Sequence, residues 1–382
     1  MRVAIVGAGL GGLTAALALA RRKVAVVVYE QAPVLGEVGA GITISPNAGR
    51  VLDDLGLGQQ VRRLGVLPGT QHIRDLSTGA TIRTMARDAD LEARHGAPYR
   101  HVHRADLHGL LAHALESSVP GSVRLGHRLV EVAPDGRMRF ANGEAAVADI
   151  VVGADGVRSV VRDCLFKTTP PIFTGQVAWR GLVPVDALPE PVRSEPPGIF
   201  IGPGRLVLRY PVRGSTLANY AIFVEMTGWE EESWSIPSTR SELLGHLESS
   251  CDSVCSLVAA TPEDWLFKWA LFAREPLQTW NAGRVTLLGD AAHAMLPFMG
   301  QGAATAIEDG MVLARALSGF SPDVALVRYE GARRERTSMV QLQSRLLGLR
   351  FQGKNPEAFG HGPLRNEEEL GLFDYDAVTA PL

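Results

Sequence analysis

The hydrophobic pattern of the chain changes period twice in its first thirty residues. Residues 3–6 form a short β-branched, apolar run of the kind that makes a fully buried parallel strand, and the run stops at Gly7. Leu13, Leu17 and Ala20 then recur at helical spacing, and Arg21, Arg22 and Lys23 follow, where cations suit a helix C-terminus. Residues 24–29 read as a second buried strand, so the pattern predicts a βαβ unit. Two more buried strands are predicted far downstream, at 149–152 and 284–288, each running into a turn that carries an aspartate, Asp155 and Asp290. Between them, 176–185, 199–202, 205–212 and 220–226 are short runs bounded by glycine and proline, which predicts an antiparallel sheet. Helices are expected over 105–115, over 301–317 with Ala304, Ile307, Met311 and Leu317 buried, and over 323–350, a long helix placed to brace the rest. Residues 351–382 read as a polar wrapping tail that Phe373-Asp374-Tyr375 could anchor.

Length and composition narrow this picture. At roughly 100 to 200 residues per domain, 382 residues imply two or three domains, and 46% apolar content excludes a disordered chain. Lys plus Arg (38) do not exceed Asp plus Glu (41), so no basic stripe for a nucleic-acid partner is expected. Cys164, Cys251 and Cys255 make neither a disulfide framework nor CxxC metal pairs, which points to a reducing compartment, the cytoplasm. The stretch from Val3 to Ala20 imitates a secretory signal, but its four glycines suit two separate elements better than one apolar helix. No other run has the length a membrane span needs, so no membrane partner is expected.

The first turn carries the earliest chemical signal. Gly7-Ala8-Gly9-Leu10-Gly11-Gly12 fits GxGxxG between a strand and a helix, where glycines allow a tight turn, close approach of pyrophosphate and close helix packing. The helix N-terminus then faces the phosphates. Glu30 ends the second strand eighteen residues after Gly12, where a carboxylate can accept hydrogen bonds from an adenosine ribose, which suits NAD or FAD over NADP.

A lone dinucleotide cradle does not require the later turns, Gly153-Ala154-Asp155-Gly156-Val157-Arg158-Ser159 and the stretch from Gly289-Asp290 to Gly302. In order and spacing the three signatures resemble those of the FAD-dependent aromatic-ring hydroxylases, the single-component flavoprotein monooxygenases. The likeness spans nearly the whole chain and is nearest to the salicylate hydroxylase and 6-hydroxynicotinate 3-monooxygenase branch.

The resemblance implies a mixed α/β (α+β) architecture: a Rossmann-like FAD-binding domain from 1–70, 100–172 and 275–320, an interleaved antiparallel-sheet substrate domain from 71–99 and 173–274, and a C-terminal helix and tail from 321–382. It implies that Gly7, Gly9, Gly11 and Gly12 with Glu30 and Gln31 hold the ADP half of a tightly bound FAD, and that Thr43, Arg104 and Leu129 also touch the cofactor. Asp155 and Gly156 would serve FAD and the transient NADH or NADPH, Asp290 the ribityl and pyrophosphate region, and Gly302 and Ala303 the isoalloxazine ring. The implied chemistry is ring hydroxylation with O2 through a C4a-hydroperoxyflavin, on a small aromatic or heteroaromatic substrate with or without a carboxylate, and no metal is needed. Arg209, Tyr210 and Pro297 are the expected catalytic residues, with Arg209, Tyr210 and Phe298 touching substrate: Arg209 can pair bidentately with a carboxylate and Tyr210 can hydrogen-bond a ring substituent.

The chain departs from its branch at three positions. Arg209 stands where many salicylate-type relatives have histidine before the tyrosine, and Thr43 and Phe298 stand where 6-hydroxynicotinate enzymes have histidine. The pocket is therefore expected to be more apolar, which keeps open a hydroxylase or epoxidase of a larger quinolone- or polyketide-type molecule, and beside it a dinucleotide-binding redox module without turnover. Monomer and homodimer are equally compatible with the sequence. His101, His103, His108 and His113 cluster without a carboxylate or thiolate to complete a metal set, and His293 reads as a packing residue near the downstream turn. Glu230 to Glu232 read as a solvated acidic turn, and Trp234-Ser235-Ile236-Pro237 as half of the flavin halogenase signature WxWxIP, with Glu232 in place of its first tryptophan.

Overall fold

The computed structural model describes residues 1–36, 40–228, 236–356, 359 and 366–382; the acidic turn at 230–232 and Trp234-Ser235 lie outside them. Two large sheets organise the molecule. The first has six strands in the order Asn281–Ala282, Val285–Leu287, Ile150–Gly153, Arg2–Val6, Ala25–Tyr29, Val123–Arg124. All neighbours run parallel except the outermost hairpin of Asn281–Ala282 with Val285–Leu287. Val3, Ala4 and Ile5 have no exposed surface, as a strand covered on both faces requires. The three buried strands expected from the pattern are thus adjacent, and each delivers its turn to the same sheet edge.

Helix Leu10–Arg21 crosses helix Gly302–Gly319 at close range. A Cβ on Gly310 would lie 2.7 Å from the Ala15 nitrogen, and one on Gly11 would lie 2.6 Å from Leu288 Cδ2. Small residues at the crossing let the two backbones approach, which places both helix N-termini beside one another at the sheet edge.

The second sheet has eight strands in the order Ile236–Pro237, Phe267–Ala273, Ile172–Pro184, Leu217–Glu225, Arg205–Val212, Gly198–Gly202, Gly69–Asp75, Thr81–Arg87. It is antiparallel except for one pair, since Gly198–Gly202 runs parallel to Gly69–Asp75. The four runs expected to form an antiparallel sheet do pair antiparallel, and the parallel pair joins them to a hairpin that the pattern did not single out. The 69–87 hairpin comes from a separate excursion of the chain, so no tight turn dictates its direction against its neighbour. Alternation along the strands gives the sheet two faces. Val177, Trp179, Val207, Tyr220 and Ile222 pack on the outer face with Leu243, Val254 and Leu257 of the short helices Arg240–Gly245 and Asp252–Ala259. Ile73, Ala178, Ile199, Leu206, Phe223 and Trp269 pack on the inner face with Leu296, Phe298, Phe351 and Phe359.

A smaller three-stranded sheet, 129–147, and helix Arg104–Ser118 complete the first half. The 30-residue helix Pro322–Phe351 spans both halves, longer by a residue at each end than the pattern predicts. Among the described residues no helix is long and apolar enough to cross a membrane.

Candidate functional site

The edge where the turns of the first sheet meet the inner face of the second encloses a cavity of about 820 Å³. Its walls combine Gly9 to Gly12, Thr43 and Arg104, the Ala154 to Arg158 turn, Leu288 to Asp290, Met295 to Gly300, and Gly302 to Ala303 with Leu208, Tyr210, Phe223 and Trp269 of the second sheet. A volume of this size lies within the range of about 300 to 1,000 Å³ typical of small-molecule and cofactor sites.

At the opening turn the four glycines do different work. Gly7 has φ +106°, and a Cβ there would lie 2.4 Å from the Ala154 carbonyl oxygen; one on Gly12 would lie 2.1 Å from the Gly7 carbonyl oxygen. Those two, with Gly11, are required by the packing of the protein itself. Gly9 meets nothing within 4 Å, and its face opens into the cavity. Gly9 is also the N-cap of Leu10–Arg21, with no side-chain cap and no acidic residue in the first turn, so the free N–H groups and the helix dipole favour an anion there. Glu30 closes the unit from the next strand, its carboxylate accepting from the Ala8 amide at 2.8 Å and the Ala32 amide at 2.9 Å.

The downstream turns are held from behind. Asp155 accepts from Ser159 Oγ at 2.5 Å and from the Val161 amide at 3.1 Å, and burial raises its pKa above the ordinary carboxylate value. Burial also raises the pKa of Asp290, against the lowering influence of His293 and Arg104; no described residue donates a hydrogen bond to its carboxylate. Behind it Asp309 Oδ2 accepts from the Gly289 amide at 3.0 Å and from His293 Nε2 at 2.5 Å. His293 is therefore a fastening of the Asp290 turn, packed against Trp280 at 5.4 Å between ring centroids.

Asp309 belongs to a buried ion cluster. Arg333 Nε donates to Asp309 at 2.7 Å and Arg333 Nη2 to Glu308 at 2.6 Å, all three side chains having no exposed surface. Arg336 and Asn47 also donate to Glu308. Burial would raise the Asp309 pKa, but His293 and Arg333 outweigh it and hold the carboxyl down to about 2. Buried charges of this kind require complete pairing, and this network ties helices Gly302–Gly319 and Pro322–Phe351 to the turn that carries Asp290.

The second sheet contributes a different surface. Tyr210, Leu208, Phe223 and Trp269 face the cavity, opposite Met295 to Met299, so both Pro297 and Phe298 lie in its wall. Arg209 does not. Successive side chains of a strand point to opposite faces, and Arg209 turns outward, where it is 5% exposed, donates to the Val192 carbonyl and pairs with Glu195 at 3.0 Å. Glu195 in turn holds Arg74 and Ser253. The expected carboxylate clamp at Arg209 is corrected accordingly: its guanidinium is committed behind the sheet. Gln31, exposed, and Leu129, buried in the core of the first half, lie outside the cavity lining, as Glu30 does.

Several lining residues were not assigned to the cavity from the sequence. Arg83, Met85 and Arg87 share the inward face of strand Thr81–Arg87, and their period-two spacing was a legible signal. Arg87 pairs with Glu367 at 3.1 Å and lies 4.5 Å over the Tyr99 ring; Arg83 pairs with Glu369 at 3.4 Å. Tyr99 and His101 come from the segment before helix Arg104–Ser118, and His101 sits across from Thr43 in a two-stranded ladder. Arg180 lies 5.5 Å over Trp269, and burial lowers its pKa. These depend on which strands pair, which no local pattern announces.

Comparison with known proteins gives the same outline. Residues 1–342 match the family model described as FAD binding domain. The chain is 38% identical over 355 residues, 92% of this chain and 88% of the other, to the 3-amino-4-hydroxybenzoate 2-monooxygenase PtnB3 of Streptomyces platensis. It is 36% identical over 395 residues to the 6-hydroxynicotinate 3-monooxygenase of Bordetella bronchiseptica, covering 100% of this chain and 97% of that one. Among solved structures, Klebsiella pneumoniae HpxO complexed with FAD and uric acid superposes with a TM-score of 0.84 at 27% identity, covering 98% of this chain and 96% of that one.

Proposed function

The chain belongs to the FAD-binding-domain family of aromatic-ring monooxygenases, and from that premise we propose that one end of its cavity holds FAD and the other an electron-rich aromatic or heteroaromatic ring. The chain is an FAD-dependent aromatic hydroxylase; the assignment of residues and substrate is our reading. The observation that carries it is the continuity of one cavity from the uncapped helix N-terminus at Gly9 to Tyr210 and Phe298.

The residues fit the cofactor. The open face of Gly9 and the free amides after it suit the pyrophosphate, Glu30 retains carboxylate lone pairs for the adenosine ribose, and Asp290 offers an acceptor that no described protein donor uses. Thr43, Arg104, Gly302 and Ala303 line the stretch between these points. The segments 1–70, 100–172 and 275–320 would form the FAD-binding unit, 71–99 and 173–274 the substrate unit, and 321–382 a brace. Bound FAD supplies reduction by NADH or NADPH and activation of O2.

The rest follows from the protein. The N-terminus of helix Gly302–Gly319, with no acidic residue in its first turn, supplies positive potential for negative charge on the flavin side of the cavity. Leu208, Phe223, Trp269, Leu296 and Phe298 keep water from the substrate end. Tyr210 offers a hydroxyl to a ring substituent and stays protonated, because burial raises its pKa. Asp155 and Gly156 stand at the cavity edge where a nicotinamide donor would approach.

The test is oxidation of NADH by the FAD-loaded protein against a panel of hydroxybenzoates, hydroxypyridine carboxylates and uncharged heteroaromatics, with mass analysis of products. Stimulated oxidation with gain of one oxygen atom is the expected outcome. A protein that retains FAD but that neither NADH nor NADPH reduces, with any member of the panel, would sink the reading.

A further inference from the structure

Four side chains from three strand segments form a continuous stack along the cavity wall: Arg87 over Tyr99 at 4.5 Å, Tyr99 edge-on to His101 at 5.8 Å, and His101 against Tyr210 at 4.4 Å with 33° between ring planes. His101 is the unusual member. It is 1% exposed, and both its ring nitrogens are buried without a hydrogen-bond partner. Its neighbour Arg87 is better served, since it pairs with Glu367. A packing role would be met at less cost by phenylalanine, since two polar atoms taken from water without a partner are a loss that folding leaves unrecovered.

Resting on the reading above, we propose that His101 is a substrate-binding residue that accepts a hydrogen bond from a hydroxyl group on the ring to be oxygenated. The imidazole is suited to that and to nothing more basic. Burial, and then the nearby Arg87 charge, push its pKa down to about 3, so it is neutral with one nitrogen lone pair available. A hydroxyl that leans its proton toward His101 places more electron density on the ring, which is what an electrophilic oxygenation requires. Tyr210, whose hydroxyl has no described partner, stands beside it to hold the same substituent. The specificity that follows is for hydroxylated rings over their dehydroxy analogues, because the analogue leaves the buried nitrogen unpaired.

Substrate-analogue binding tests this without turnover. The full-length, FAD-loaded protein is titrated anaerobically with three pairs of acids: 3-hydroxybenzoate and benzoate, 4-hydroxybenzoate and benzoate, 6-hydroxynicotinate and nicotinate. The readout is perturbation of the flavin absorbance, followed for wild type, His101→Phe, which keeps a ring against Tyr210 but has no acceptor, and His101→Gln, which restores one. In at least one pair the wild type should prefer the hydroxylated member about tenfold, the worth of one good hydrogen bond. His101→Phe should bring that ratio close to one with FAD content, melting temperature and binding of the dehydroxy acid unchanged, and His101→Gln should recover part of it. A wild type with no preference in any pair, or a preference that survives in His101→Phe, overturns the proposal. Loss of FAD, or failure of NADH to reduce it in wild type, counts instead against the functional reading, so the two failures are told apart.

Discussion

The two ends of the cavity follow opposite rules of satisfaction. Around Asp290 and the glycine turn, nearly every buried charge is answered from within the protein: Glu308, Asp309, Arg333, Arg336 and His293 pair with one another, and Gly7 and Gly12 are closed by backbone. At the substrate end, both His101 ring nitrogens are buried with no hydrogen-bond partner, beside Tyr210 in the cavity wall. The contrast separates what holds the fold from what awaits a molecule. Where charges are paired within the protein, substitution should cost stability; where a side chain has no partner at all, substitution should cost recognition.

The largest expected effect lies in the glycine turn, and it divides that turn against itself. Gly12→Ala puts a methyl group 2.1 Å from the Gly7 oxygen and should destabilise the fold by more than about 4 kcal/mol, whereas Gly9→Ala meets no protein atom and should melt normally while losing FAD affinity. Thermal melts and FAD content of both variants check it; equal melting temperatures would break the distinction drawn here. Next comes Arg333→Met. It removes the cation shared by two buried carboxylates, leaving Glu308 to Arg336 and Asn47 and Asp309 to His293 and the Gly289 amide, and should cost about 3 kcal/mol in urea unfolding.

Asp309 sharpens the same point through pH. His293 and Arg333 hold its carboxyl down to about 2, below the ordinary aspartate value of 3.8, so its stabilisation is complete above about pH 4 and drains away as pH falls toward 2. Asp309→Asn should lower the urea midpoint at pH 6, and its deficit against wild type should shrink as the pH is lowered. A deficit constant with pH would refute the assignment.

At the open end the effects are smaller and appear in kinetics. Tyr210→Phe should leave the melting temperature within a degree or two and reduce kcat/KM about tenfold, the loss of one hydrogen bond. Arg209→Ala should do the reverse, costing about 1 to 2 kcal/mol of stability through Glu195 while KM for a carboxylated substrate stays put. A severe rise in KM would return Arg209 to the substrate.

These two residues also show what the sequence could and could not say. The βαβ unit, the two aspartate turns and the helix behind them are contiguous patterns whose geometry follows from local period and turn chemistry, and each was legible. The strands of the second sheet were legible as strands. Their facing was not, although alternation alone forbids the neighbours Arg209 and Tyr210 from entering one cavity together. His101 was visible only as one of several histidines, since its place opposite Thr43 and beside Tyr210 depends on pairings between segments far apart in sequence. Leu129 and Gln31 were placed at the cofactor by resemblance, and the sheet geometry sends them to the core and the surface.

The wall of the cavity runs in sequence from Gly9 to Glu367, and Glu367 is the counter-ion of Arg87 at the substrate end. During synthesis the cofactor cradle leaves the ribosome well before the charge that balances Arg87. A chain cut short of Glu367 therefore carries its dinucleotide turn but not the counter-ion of Arg87, so loss of Glu367 acts on the substrate end of the cavity before it acts on the cofactor cradle.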